Sequence, residues 1–508
     1  MITKDYDIVI IGSGAGGGTA AKELAPLVKE GLKIVVLEWG PQFREEEFTG
    51  REIEMANRLY FEGGGFLTKD RSMTLAFAKA YGGTTVVYTG TSLVVPKKTV
   101  GRWSVPGISW EDLARRSEKY KQENNVHLLD EPLINENNRL FYKGCKELGY
   151  SVEQFPLNLR GCQGSGLCNL GCPNQAKQGT NRVQLPQAQK QGVEVVTRCE
   201  VKKIDPDKRT IQAVIHSGNG VGLSSAWQPG FYEIHSKVVV VAAGAVNSSA
   251  LLLRSGLGSR LPALGRYFTV HPALILTAQH DQPVANYYGH PKSYFSSEWA
   301  ESDRFLLETC AYFPFTTAKN LAGFGPEHGR FMARMDRLQM ILVLALDEAL
   351  GTNRVTIDRD GSPVVDYTIT ETVINSFIVA MRKSAEIFFA AGAGRVHAPA
   401  CKKFTIESEE KNEIDRLIAR EDFKLGKVSI TGAHLMGGCR MGTNETDSVT
   451  NSWGQVHGIP WLYVADASLF PKCAEINPYL TIMALADRVA EGVKNRIGEL
   501  VGQGAINR

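Results

Sequence analysis

With 508 residues the chain exceeds a single hydrophobic core, and about three domain-sized units are expected unless segments interleave. Hydrophobic residues at 43% and charged residues at 22% are ordinary for a globular protein, and Lys plus Arg (57) against Asp plus Glu (54) leaves +3, too balanced to call for nucleic acid or an anionic membrane. The longest apolar stretch, around residues 238–246, falls far short of the roughly 20 residues of a spanning helix, so no transmembrane segment is expected.

The first apolar strand begins within seven residues of Met1, which leaves no room for a secretory leader. Nine cysteines, an odd number scattered through a long chain, point to reduced thiols and the cytoplasm, with export beside a signal-bearing subunit as the other route. The strand, residues 8–11, runs into Gly12-Ser13-Gly14-Ala15-Gly16-Gly17 and leaves as an Ala-rich helix. Gly12 permits the tight turn, Gly14 lets backbone approach a pyrophosphate, and Gly17 allows close helix–strand packing, while the helix N-terminus offers free N–H groups. Such a glycine pattern alone is a weak signal. Here the next apolar strand, residues 33–37, ends in Glu38, 21 residues after Gly17, where an acid takes ribose hydroxyls. A carboxylate there repels a 2′-phosphate, so the dinucleotide is FAD or NAD rather than NADP.

Glycine clusters at residues 63–65 and 82–83 mark loops where backbone passes close to something bulky. Residues 193–204 and 237–244 return as apolar or alternating runs and are expected to rejoin the first sheet. Between about residues 265 and 427 the pattern shifts to longer alternating strands, a second domain. There Asp360-Gly361 reads as a hairpin turn and residues 373–393 as a helix covering the sheet. His271 in VHP and His457 in VHG read as turn residues, and Cys439 and Cys473 as packing residues.

Four segments resemble the glucose-methanol-choline (GMC) family of flavin oxidoreductases: the N-terminal glycine motif, GGTTVVYTG at residues 82–90, GAVNSSALLLRSGLG at 244–258, and a C-terminal block running from HLMGGCRMG to INPYLTIMALADRVAE. Three departures stand out. Tyr88 replaces a common Asn, Ser249 replaces the usual Pro, and Val87 stands where some members attach FAD through His. The resemblance implies noncovalent FAD and a mixed α/β (α+β overall) fold, a Rossmann-like FAD domain interleaved with a substrate domain on an antiparallel sheet. On this division residues 1–100, 190–264 and 430–508 build the FAD domain, and 101–189 and 265–429 the substrate domain. It places Gly82, Gly83, Thr84 and Thr85 in the flavin loop, Val201 at the adenine, and Asp466 and Ala467 at the ribityl-pyrophosphate. His434 becomes the base facing flavin N5 and Asn477 its partner, followed by Pro478 and a helix through Thr481 whose N-terminus faces the pyrimidine edge.

The chemistry can be argued separately. Moving a proton from an alcohol (pKa about 15.7) to a neutral imidazole (about 6.5) before any other step costs about 12 kcal/mol. Proton removal must therefore accompany hydride departure or end on an alkoxide held by donors, with the base contributing typically ~10² to 10⁴-fold. Asn477 is no base, but its amide can hold the substrate oxygen. The expected activity is oxidation of a CH–OH group, a bulky apolar or aromatic alcohol being favoured over a sugar by the aromatic segment 305–325. The electron acceptor is left open among oxygen, a quinone and a cytochrome subunit. One rival is a lyase that keeps FAD as scaffold; the other is the catalytic subunit of an electron-transferring sugar dehydrogenase complex with an iron–sulfur cluster.

GCQGSGLCNLGCPNQAK supports three readings of its own. Cys162, Cys168 and Cys172, closed by Pro173, could ligate an iron–sulfur cluster, form a zinc clip, or remain thiols packed under a lid. The resemblance extends to sugar dehydrogenases with a three-iron cluster that feeds a cytochrome subunit, and equally to long-chain alcohol oxidases with a similar loop.

Overall fold

The computed structural model describes residues 1–218 and 220–502. The N-terminal strand Ile2–Ile11 is largely exposed at its start, while Ile8, Val9, Ile10 and Ile11 are buried. Its second half lies between two parallel neighbours, Ile34–Leu37 on one side and the far half of Gly230–Val241 on the other. Apolar branched residues suit a strand covered on both faces. Glu194–Val196 extends the sheet beyond Ile34–Leu37. The twelve-residue strand Gly230–Val241 pairs antiparallel with Thr210–Ile215 along its first half and parallel with Leu462–Val464 at its end. Cys199–Asp205 closes that edge. Seven strands from three separated stretches of chain thus make one sheet, and residues 193–204 and 237–244 rejoin it as expected.

The second sheet has nine strands, mostly antiparallel. Its central strands, Ala273–Gln279, Leu338–Ala345 and Phe305–Thr309, alternate between two apolar faces. Leu274, Leu276, Phe305, Leu307, Ile341 and Val343 pack under the helix Glu371–Ala390. Ala273, Ile275, Leu306, Leu342 and Leu344 turn to the other side. The helix starts where Thr370 accepts a hydrogen bond from Val373 N–H, two residues before the expected span. The expected hairpin joins Arg354–Ile357 to Pro363–Asp366, its turn held by Asp358, which accepts from Asp360 and Ser362 N–H. The architecture is the mixed α/β, two-sheet interleaved fold. Among the described residues no helix is long and apolar enough to cross a membrane.

Two short strands of this second sheet matter for the site. Ile430–Gly432 pairs parallel with Met73–Leu75 and antiparallel with the start of Ala273–Gln279, through Thr431 and Ala273. Thr269 and Met436 then exchange both backbone hydrogen bonds, at 2.9 and 2.8 Å. His271 and His434 lie between these two pairings, on facing chains.

Candidate active site

The glycine turn opens one end of a cavity of about 490 Å³. Gly12 adopts φ +100° at the strand exit. Gly14 caps the helix Ala15–Leu24 with no side-chain hydrogen bond, leaving the helix N-terminus free for a ligand. Gly14 also meets the second glycine loop: a Cβ on Gly83, whose φ is +54°, would lie 2.6 Å from the Cα of Gly14. Gly16, which the sequence reading left unassigned, packs against the carbonyl of Ala465, where a Cβ would stand 1.8 Å from the oxygen. The turn is therefore wedged between the flavin loop and the C-terminal block.

Glu38 is 6% exposed and lines the cavity. Its carboxylate accepts from Ser13 N–H at 2.9 Å, Ser13 Oγ at 2.6 Å and Gly40 N–H at 2.7 Å. Burial pushes it above the usual carboxylate range, against the pull of those three donors. A carboxylate offers about four acceptor positions, so one remains for a ligand hydroxyl. Ser13 Oγ in turn accepts from Gly82 N–H at 2.9 Å, tying the two loops through one hydroxyl. Thr85 Oγ1 donates to Gly82 O at 2.7 Å and accepts from Thr180 N–H, while Thr180 Oγ1 donates to Ser13 O at 3.0 Å. Ser13 and Thr180 were not singled out in the sequence. Their partners are distant in the chain, and no local spacing announces them.

Gly12, Gly14, Glu38, Gly83, Thr84, Thr85 and Val201 all face this cavity, as do His434, Asp466, Ala467, Asn477 and Pro478. Gly17, Gly82 and Thr481 stand behind its wall: Gly17 packs on the Gly12 carbonyl, and Thr481 lies in the first turn of the helix Tyr479–Asn495. Val201 sits at a register shift of its strand, a break in the ladder that exposes backbone. Asp466 is committed to the scaffold, accepting from Gly244 N–H at 2.8 Å, Ser468 N–H at 2.8 Å, Ser468 Oγ at 2.6 Å, and Ser248 Oγ.

At the far end His434 and Asn477 meet. Asn477 Nδ2 donates towards His434 Nε2 at 3.4 Å, and the two Nδ1 atoms of His434 and His271 lie 2.9 Å apart. His271 Nε2 is 2.9 Å from Cys473 Sγ, which also accepts from Glu475 N–H at 3.4 Å. His271 and Cys473 are buried behind His434 and do not line the cavity, but they touch the site through the His271–His434 contact. His457 stays apart, hydrogen-bonded to Ser448 at 3.0 Å, and Cys439 packs against Ser249. Burial first, then His271 and the charge of Lys292, hold His434 well below the ordinary histidine range. Burial takes His271 down to about 4. Glu475, in the left-handed region at φ 60°, anchors this stretch by accepting from Thr99 at 2.7 Å, Arg102 at 2.6 Å and Arg304 at 3.1 Å.

The residues fit a flavin dinucleotide. Asn477 Oδ1, on a residue that lines the cavity just before the helix Tyr479–Asn495, is buried without a hydrogen-bond partner among the described residues. That unmatched polar edge, an uncapped helix start and an acid with one position to spare suit the pyrimidine, pyrophosphate and ribose. Val87 offers the cofactor no nucleophile.

The cysteine loop departs from the metal reading. Among the described residues no group of three or more His, Cys, Asp or Glu side chains is placed to hold a metal ion. A cation occupies the loop instead. Lys177 Nζ, 4% exposed as a residue, donates to the carbonyls of Val86 at 2.7 Å, Tyr88 at 2.7 Å and Cys168 at 2.6 Å. Burial brings Lys177 down to about 8 and pushes the Cys168 thiol up to about 12 and the Cys162 thiol upward. The iron–sulfur and zinc expectations for Cys162, Cys168 and Cys172 are not supported; the loop is pinned to the flavin loop by an ammonium.

The sequence pattern of the GMC oxidoreductase family matches residues 56–273 and 350–486. An uncharacterized GMC-type oxidoreductase of Mycobacterium tuberculosis is 31% identical over 494 residues, 96% of this chain and 75% of that protein. A long-chain-alcohol oxidase of Arabidopsis thaliana is 27% identical over 533 residues, 97% of this chain and 67% of its own length. Among solved structures, pyridoxine 4-oxidase from Mesorbium loti superposes with a TM-score of 0.70 at 16% identity, covering 96% of this chain and 99% of the other. Aspergillus oryzae formate oxidase, in a structure concerned with FAD modification, gives 0.70 at 15% identity over 98% and 100%. Fold, cavity and relatives together define an FAD-dependent oxidoreductase of the oxidase or dehydrogenase kind. The chain belongs to the GMC oxidoreductase family.

Proposed function

We propose that the protein oxidises the CH–OH group of a bulky apolar alcohol, with His434 as base and Asn477 as orienting partner. The observation that carries this reading is the meeting of an imidazole and an amide, 3.4 Å apart, at the end of a cavity walled by Ala273, Ile275, Leu342 and Leu344. Tyr312 and Phe313 add aromatic surface. The Arabidopsis relative named as a long-chain-alcohol oxidase supports the same substrate class.

A bound flavin supplies the hydride acceptor. Glu38 would take its ribose, the Gly12–Gly14 turn its pyrophosphate, Val201 its adenine through backbone, and Asn477 its pyrimidine edge. Asp466, with its acceptor positions filled, would hold Gly244 and Ala467 in place rather than grip the cofactor itself. Neutral His434 receives the hydroxyl proton at Nε2 as the C–H bond breaks, so no free alkoxide need form. The Asn477 amide holds the substrate oxygen and fixes the carbon in line. Apolar walls exclude water and favour the hydrocarbon part of the substrate.

Anaerobic addition of 1-decanol, benzyl alcohol and glucose to the yellow holoenzyme tests this. Bleaching by the first two and not by glucose is expected. A flavin that stays oxidised with every alcohol would end the oxidoreductase reading and leave lyase chemistry. Admitting air afterwards separates oxygen from other acceptors.

A further inference from the structure

The proposed base needs one particular proton arrangement, because only a bare Nε2 can accept. A neutral imidazole carries one N–H, and its site is set by what the other nitrogen meets. His434 Nδ1 faces His271 Nδ1 at 2.9 Å, a contact that tolerates one proton and not two. His271 Nε2 faces Cys473 Sγ at 2.9 Å, and Glu475 N–H donates to the same sulfur at 3.4 Å, so the sulfur already serves as an acceptor and can take a second N–H. At the opposite end the Asn477 amide turns its nitrogen, a donor, towards His434 Nε2. His271 is fully buried and His434 partly so, and their facing planes are nearly perpendicular at 89°.

We propose that His271, seated on Cys473, is a positioning residue that fixes the tautomer of His434: Nδ1–H of His434 donates to His271, Nε2–H of His271 donates to Cys473, and Nε2 of His434 is left bare towards the cavity. This rests on His434 being the base. The opposite arrangement, with every proton moved one place along the chain, would present an N–H to the substrate and could not accept. His271 touches neither the substrate oxygen nor the hydride path; it acts through His434 alone. The facing chains make the contact possible, since the Thr431–Ala273 and Thr269–Met436 pairings hold the two rings across from each other.

The tautomer can be read without turnover. Ring-¹⁵N-histidine holoenzyme at pH 7.5, with His434 signals identified by their loss in His434→Gln, should show a pyrrole-type Nδ1 and a pyridine-type Nε2 for His434. A pyridine-type Nδ1 would overturn the proposal. In stopped-flow reduction by 1-decanol, His271→Leu should keep FAD and the substrate dependence within about threefold yet slow bleaching by at least ~10-fold. His271→Gln, whose carbonyl can accept from Nδ1–H and whose amide can reach sulfur, should restore the rate to within about threefold. No loss in His271→Leu, or equal loss in both variants, would count against it. If His434→Ala instead bleaches at wild-type speed, the base reading fails while the tautomer result stands on its own.

Discussion

A desolvated imidazole is a poor cation, and at His434 that weakness suits the proposed base. Because burial and neighbouring groups hold its pKa well below 6.5, the neutral ring persists at pH values where an exposed histidine would be half protonated. The rate of flavin reduction is therefore expected to stay level from pH 8 down to pH 6.5 and to fall only at lower pH; a half-maximal rate at pH 6.5 would show that the ring titrates normally. His434→Ala should retain FAD and reduce it at least ~100-fold more slowly, measured by stopped-flow at saturating alcohol. The sequence announced His434 and Asn477 through the motifs around them. His271 was unreadable there: nothing in VHP distinguishes a turn from a ring placed against another ring 163 residues away.

Among the elements, the two glycine loops and the cysteine loop form one assembly. Spacing alone made the three cysteines look convergent, because it says nothing about a lysine five residues past the last of them that fills the space between carbonyls. Lys177→Met removes all three donors from buried carbonyls, each costing about 1–3 kcal/mol when orphaned, offset in part by no longer desolvating an ammonium. A net loss of about 2 kcal/mol or more is expected, read as a lower melting temperature and faster FAD release at 25 °C. An unchanged melt and unchanged release would mean the clamp is idle. The dinucleotide turn, by contrast, was legible because its glycines, strand and acid sit within one short stretch whose geometry is dictated locally. Ser13 and Gly16 within it were not, since their reasons lie at Gly82 and Ala465.

For the whole molecule, period-two runs and apolar stretches located both sheets, but not how the chain weaves between them. Met73–Leu75 joins the second sheet from within the N-terminal stretch, a pairing set by backbone register with Ile430–Gly432 rather than by its own residues. Buried histidines give the fold a shared acid sensitivity. His271, His290 and His397 each lie at about 4 by burial, against about 6.5 when unfolded. The unfolded chain therefore binds more protons between those values, so their contribution is complete above pH 6.5 and is lost as pH falls towards 4, roughly 3 kcal/mol for each ring. Glu38, Asp347 and Asp466, raised by burial against the pull of their hydrogen bonds, act in the opposite sense. Melting temperature should drop steadily from pH 6.5 to pH 4.5; a flat profile would contradict the burial of these rings.

The imidazole hangs from the second sheet through Ile430–Gly432, whereas the amide opposite it belongs to the turn before Tyr479–Asn495, which packs on the helix Ala15–Leu24 of the first. The two groups proposed to act on the substrate are thus owned by different halves, and their spacing registers how the halves are seated. A grafted apolar wall taken from another alcohol oxidiser would have to preserve that seating before its new preference could be expressed, which makes the junction, more than the lining, the place where transplants of specificity succeed or stall.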